Sequence, residues 1–98
     1  MAKGYWVSAH KKLPDPEKYA AYRPLAAAAV EKAGGRFIVR GITKTAVENG
    51  LTGVNTVVIE FDSYEQAVAA YHSDAYQAAV RELDGTQDRD FRIMEGTE

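Results

Sequence analysis

The stretch Asn55-Thr56-Val57-Val58-Ile59-Glu60-Phe61-Asp62-Ser63-Tyr64-Glu65-Gln66 decides the fold of this chain. Asn55 to Asp62 is rich in β-branched and aromatic residues and its core, Thr56 to Phe61, is apolar on both sides, so it reads as a central strand whose core carries one carboxylate, Glu60. Ser63 and Gln66 then make a capping box that opens a helix. Downstream, Tyr64, Val68 and Tyr71 recur at helical spacing. Ser73 and Asp74 interrupt that helix, Asp74 with Gln77 makes a second box-like start, and Tyr76, Val80 and Leu83 share one face before Gly85 ends the unit. Asp90 to Met94 alternates Phe91 and Ile93 with Arg92 and Met94, a last strand.

Upstream, Asn49-Gly50 and Gly53 are turn residues, and Arg36 to Gly41 has the period-two pattern of a strand, with Thr43 to Val47 as an edge extension. A helix is predicted from Pro16 to about Ala33. Asp15 can accept from its first amides, Pro16 suits its first position, and Tyr19, Tyr22, Leu25, Ala26, Ala29, Val30 and Ala33 form its apolar stripe. Pro24 predicts a kink or a break within it, and Gly34-Gly35 a left-handed end. Gly4 to His10, with Tyr5, Trp6 and Val7, is the first strand, stopped by Leu13-Pro14-Asp15-Pro16.

The order strand, helix, strand, strand, helix, strand is the ferredoxin-like βαββαβ arrangement, an α+β fold. Right-handed crossovers put both helical regions on one face of a four-stranded antiparallel sheet and leave the other face open. With Val57, Ile59, Phe61, Phe91 and Ile93 under the helices, the open face receives Thr56, Val58, Glu60, Asp90, Arg92 and Met94. The same parity places Arg36, Ile38 and Arg40 there. In the first strand, taking Tyr5, Val7 and Ala9 as helix-facing exposes Trp6, Ser8 and His10, and a one-residue shift exchanges the two sets. Apolar residues on an uncovered sheet predict a second copy packed against it, an isologous homodimer.

Ninety-eight residues allow one domain, residues 1–98, small enough to gain from association. No apolar run approaches the ~20 residues needed to cross a bilayer, and the start Met1-Ala2-Lys3-Gly4 lacks a signal-peptide apolar region, so a cytoplasmic, unprocessed protein is expected. The absence of cysteine removes disulfides and thiolate chemistry. A net charge of −2 argues against a nucleic-acid partner, as does the lack of an Arg/Lys-Gly-aromatic pattern in the third strand. Neither a zinc spacing nor a calcium loop is present, and there is no phosphate loop, nucleophile elbow or dinucleotide fingerprint.

Five segments together resemble the domain of unknown function 1330 family. They are Gly4-Tyr5-Trp6-Val7, Gly34-Gly35-Arg36-Phe37-Ile38-Val39-Arg40-Gly41, Val57-Val58-Ile59-Glu60-Phe61, Tyr71-His72-Ser73-Asp74-Ala75-Tyr76-Gln77 and Met94-Glu95-Gly96. The resemblance covers nearly the whole chain. It departs at Ile42, where a second glycine is frequent, and at Asp74-Ala75, where Pro-Glu is frequent. It implies the dimeric α+β barrel superfamily, whose members include cofactor-free monooxygenases, haem-degrading enzymes, chlorite dismutases, lactone isomerases and small-ligand-sensing domains. The family has no agreed activity, and a fold of this kind hosts many.

Arg40 and Glu60 are the sharpest candidate pair, since a carboxylate inside an apolar strand calls for a partner. They are read either as an ion pair that sets strand register or the dimer interface, or as an Arg40 clamp for a ligand carboxylate or enolate that Glu60 holds in place. His10 is either a solvent-facing strand end or a general base near Arg40 and Arg92. His72 is either a helix-terminal cap or, by analogy with haem-binding relatives, an iron ligand. The tyrosines at helical spacing, Tyr71 among them, read first as core, with a phenol or two lining a cleft between helix and sheet. These residues predict a cavity at the sheet–sheet dimer lined by Trp6, His10, Arg40, Glu60 and Arg92, which binds a small organic acid or aromatic metabolite. Any turnover there would be cofactor-free, with His10 moving the proton, Arg40 and Arg92 stabilising negative charge and Trp6 as an apolar wall. The alternative is a non-catalytic ligand-binding or stress-associated module in which the same charges are structural, so whether the protein is an enzyme stays open.

Overall fold

A computed structural model describes residues 2–98. The elements run β1 (Gly4–Lys12), α1 (Pro16–Lys32), β2 (Arg36–Ile42), β3 (Asn55–Phe61), α2 (Tyr64–His72), α3 (Asp74–Leu83) and β4 (Asp88–Glu95). The four strands form one sheet in the order β2-β3-β1-β4, with every neighbouring pair antiparallel. This is the ferredoxin-like α+β fold predicted from the sequence, with the second helical region divided in two.

Helix starts follow local chemistry. The Asp15 carboxylate accepts from the Lys18 amide at 3.1 Å, with Pro16 in the first turn of α1. Ser63 Oγ accepts from the Gln66 amide at 3.1 Å, while the Gln66 side chain, instead of closing the box, donates to the Ala33 carbonyl at 2.7 Å. Gln66 therefore ties α2 to the end of α1. The cap of α3 is Ser73, whose Oγ accepts from the Tyr76 amide at 3.3 Å, and the expected cap Asp74 occupies the first turn instead. Pro24 does not divide α1, which continues through it to Lys32. Gly34 carries the left-handed φ of +83° that lets the chain leave the helix.

Two expectations about β2 are corrected. Thr43 to Val47 is not strand; it belongs to the loop of residues 43–54, closed by Thr43 and Val54 at 2.8 Å. The strand also does not alternate without interruption. Phe37 pairs with Ile59 and Val39 with Val58, so two steps on β2 match one on β3 and Ile38 is an extra residue, a β-bulge. The bulge reverses the parity of everything after it. Arg36 opposes Glu60 on the open face, but Arg40 opposes Val57 and faces the helices.

The facing of β1 is likewise the reverse of the first expectation. Trp6 opposes Ile59 and Ser8 opposes Val57, so Trp6, Ser8 and His10 lie under the helices, and Tyr5, Val7 and Ala9 face outward. Trp6, at 2% exposure, fills the centre of the core, and its indole N–H donates to the Ala67 carbonyl of α2 at 2.8 Å. A buried indole needs such an acceptor, and a helix carbonyl supplies it. Around Trp6 sit Phe61, Tyr76, Tyr71 and Phe91, with ring centroids between 4.7 and 6.1 Å away. Each fully buried side chain of this size contributes roughly 1.5–3 kcal/mol. Ala67 and Ala79 at complete burial keep α2 and α3 close to the sheet. Among the described residues no helix is long and apolar enough to cross a membrane.

Candidate functional site

The two corrected facings converge on one place. A cavity of about 70 Å³ lies between the sheet and α1 and α3, and Trp6, Ser8, His10, Arg40 and Arg89 all line it. Strand pairing builds its floor: Ser8 opposes Phe91, and His10 opposes Arg89 across the β1–β4 ladder. Directly opposed residues stand about 4.5–5.5 Å apart at Cβ, so His10 and Arg89 are immediate neighbours. The roof comes from α1, which contributes Tyr19, Tyr22 and Arg23, and from α3, which contributes Tyr76.

The polar groups are held firmly. Tyr22 and Tyr76 link α1 to α3 through a hydroxyl–hydroxyl bond of 2.7 Å. The Arg89 guanidinium donates to Tyr22 Oη at 3.3 Å and to Tyr76 Oη at 3.2 Å, and lies over the Phe91 ring at 4.8 Å. Asn55 donates to Tyr19 Oη at 2.8 Å. Arg40 stacks on Phe37 at 4.5 Å, and Arg23 lies over Tyr19 at 5.9 Å. Both of these arginines are exposed, at the mouth rather than the floor.

Burial sets the charge states. It pushes the Tyr76 hydroxyl far above the usual phenol value, the neighbouring Tyr22 acting in the same direction, and it also raises Tyr19. Both phenols therefore stay protonated. Burial first, then the positive charge of Arg89, hold His10 below its ordinary value of 6.5, opposed only by a backbone group of Asn55. The imidazole is consequently neutral at physiological pH. Arg89 loses by desolvation but gains more from the Tyr76 and Tyr22 oxygens, so its guanidinium stays charged. Ser8 Oγ and both His10 nitrogens are fully buried and have no hydrogen-bond partner.

The remaining predicted residues lie elsewhere. Glu60 is on the open face, where Arg36 and not Arg40 is its partner, at 3.0 Å, with the Tyr5 hydroxyl donating at 3.2 Å. Those contacts, the Arg36 bond first, lower its carboxyl below the usual range against the opposing effect of desolvation. Arg92 is on that face too, paired with Asp90 at 2.9 Å. The five residues expected to line one sheet–sheet cavity are thus split by the β1 facing and the β2 bulge. Trp6, His10 and Arg40 share the helix-side cavity within one protomer; Glu60 and Arg92 face away from it. Tyr71 is core, edge-on to Trp6. His72 is exposed at the end of α2 beside the Tyr71 ring, outside the cavity. Among the described residues no group of three or more histidines and carboxylates is placed to hold a metal ion.

Arg89 and Ser8 escaped the sequence reading. Starting the last strand at Asp90 left Arg89 in a turn, whereas one more step of the alternation Phe91, Ile93 puts it inward. Ser8 followed the misassigned parity of β1.

Together these features define a ferredoxin-like α+β protein with a cationic, phenol-lined cavity beneath its helices. The chain belongs to the family described as a domain of unknown function, DUF1330, which it matches over residues 3–97. No curated protein matches it. Among solved structures it is similar to a protein of unknown function from Rhodopseudomonas palustris, with a TM-score of 0.75 at 16% identity over 99% of this chain and 84% of that one. It is also similar to a dimeric protein of unknown function with a ferredoxin-like fold from Bacteroides fragilis, with a TM-score of 0.60 at 16% identity over 95% of each chain. A third likeness is to a Caulobacter crescentus protein proposed to be an antibiotic biosynthesis monooxygenase, with a TM-score of 0.60 at 19% identity over 99% and 91% of the two chains. At such identities the likeness shows the fold alone.

Proposed function

We propose that the chain is a cytoplasmic, single-domain homodimer that binds a small organic acid or aromatic metabolite in the helix-side cavity. The observation that carries this reading is the cavity itself: an aromatic-walled space holding buried, unpartnered Ser8 and His10 beside a fixed guanidinium. Concave apolar pockets with a few convergent polar groups are where small ligands bind. Turnover, in this reading, is cofactor-free. Neutral His10 accepts a proton from the ligand, and Arg89 with Arg40 stabilises the negative charge that develops.

The homodimer is supported by the open face, where Val39 and Met94 stay about half exposed beside Tyr5, Val7 and Val58, and by the dimeric Bacteroides fragilis neighbour. On that face Glu60, Arg36, Asp90 and Arg92 satisfy one another. This favours a structural role for Glu60 and Arg92 and leaves chemistry to the other side.

Trp6 is the only tryptophan of the chain and lines the cavity, so its emission reports occupancy directly. Titration with compact organic acids is expected to change Trp6 emission saturably, and crystals soaked in the same acids to show density against His10 and Arg89. Absence of both responses overturns the binding reading. Sedimentation at micromolar protein tests the dimer, and a lone protomer overturns it.

A further inference from the structure

The cavity holds more hydrogen-bond donors than the protein can satisfy. Of the five N–H groups of Arg89, one goes to Tyr22 Oη and one to Tyr76 Oη. The others meet no acceptor among the described residues. Tyr22 and Tyr76 share a single contact, so one phenol donates to the other and the second keeps a proton with no acceptor. Tyr19 accepts from Asn55 and still has its own proton to place. Ser8 Oγ is buried with no partner.

No aspartate or glutamate lines this space, while three guanidinium groups, Arg23, Arg40 and Arg89, do. Among the described residues none of the three forms a salt bridge, although Arg36 and Arg92 on the opposite face each have a carboxylate. Water can satisfy a donor, but it cannot match the charge. Arg89 is the arginine on the floor, locked by two phenols and stacked on Phe91; Arg23 and Arg40 stand at the mouth, where they draw an anion inward.

We propose that Arg89 is the anion anchor of the cavity, and that the ligand is a compact organic carboxylate bearing a second oxygen. The carboxylate lies against the Arg89 fork and the free phenol, and the second oxygen against Ser8 and His10, which precede it along the same floor. This rests on the binding reading above and adds the charge of the ligand and the residue that selects it. The ligand's orientation follows: its carboxylate end points to Arg89 of β4 and the Tyr22–Tyr76 pair, and its second oxygen to β1.

The test compares acids with their amides, which keep shape and lose charge. Lactate and lactamide, and mandelate and mandelamide, are titrated at millimolar concentration into the intact protein, with Trp6 emission as the readout. Each carboxylate is expected to bind at least tenfold more tightly than its amide. Arg89→Met, checked for folding by circular dichroism, is expected to bring the carboxylate-to-amide affinity ratio below about twofold, whatever happens to the affinity of each. Equal binding of acid and amide by the unmodified protein overturns the proposal while cavity binding survives; this arm needs no variant to fold. A carboxylate preference that persists in folded Arg89→Met also overturns it. No saturable response to any of the four compounds overturns the proposal, and with no density in the soaked crystals either, it overturns the binding reading together with it.

Discussion

The two faces of the sheet use the same residue types in opposite ways. On the open face Arg36 has Glu60 and Asp62, and Arg92 has Asp90, so each charge is answered by a neighbour within about one strand spacing. Under the helices Arg89 has only neutral phenols, and Ser8 and His10 have no partner. Exposed ion pairs contribute little to stability because water already solvates both members. A half-buried cation with no counter-charge is costly, and the carboxylate proposed above would supply the missing charge. Unmatched polarity, rather than the presence of charge, separates the candidate site from the scaffold.

This contrast can be broken or sharpened experimentally. The largest effect is expected from Trp6→Ala, which removes the central core ring and its bond to Ala67 and should cost about 3–5 kcal/mol in urea unfolding followed by circular dichroism. Val58→Asp places a charge in the apolar part of the open face. It is expected to weaken self-association tenfold or more in sedimentation while leaving the helix content of the protomer unchanged.

His10 sets the next scale. Its folded pKa is lowered, first by burial and then by Arg89, so below the unfolded value near 6.5 the unfolded chain takes up a proton that the folded chain refuses. Stability is therefore full above that value and falls as the pH drops from 7 towards 5, with a slope of at most about 1.4 kcal/mol per pH unit. His10→Asn is expected to flatten the slope, measured as the urea midpoint against pH. The carboxylates Glu60, Asp84 and Asp90 have lowered values, so their contributions are lost only at more acid pH and leave this window clear. The smallest effect is expected from Arg92→Ala, which should leave the thermal midpoint and cavity binding unchanged. A large loss there would mean that the open face does more than shield and associate.

Much of the architecture was legible in residue order. The β-branched run at Val57 to Ile59, the Asp15-Pro16 and Ser63 starts, and Gly34 specify their elements through local sterics and hydrogen bonding, and these act over three or four residues. The facing of β1 was not legible, because Tyr5/Val7/Ala9 and Trp6/Ser8/His10 both alternate acceptably. The site was legible only in part. Trp6, His10 and Arg40 were named but assigned to the wrong side, Arg89 was missed, and Glu60 was matched to Arg40 instead of Arg36.

The amino-acid order dictated the βαββαβ succession, the caps at Asp15 and Ser63 and the parity of β3 and β4, since each follows from the preferences of neighbouring residues. Long-range pairing had to choose which side of β1 faces the helices and where β2 takes its extra residue. Trp6 turns inward because the largest apolar surface and its N–H find the Ala67 carbonyl there. Ile38 is the surplus residue because β2 must match β3 at both Phe37 and Arg40. Those two choices, made sixty-one and about twenty residues away along the chain, bring His10, Arg40 and Arg89 around one cavity.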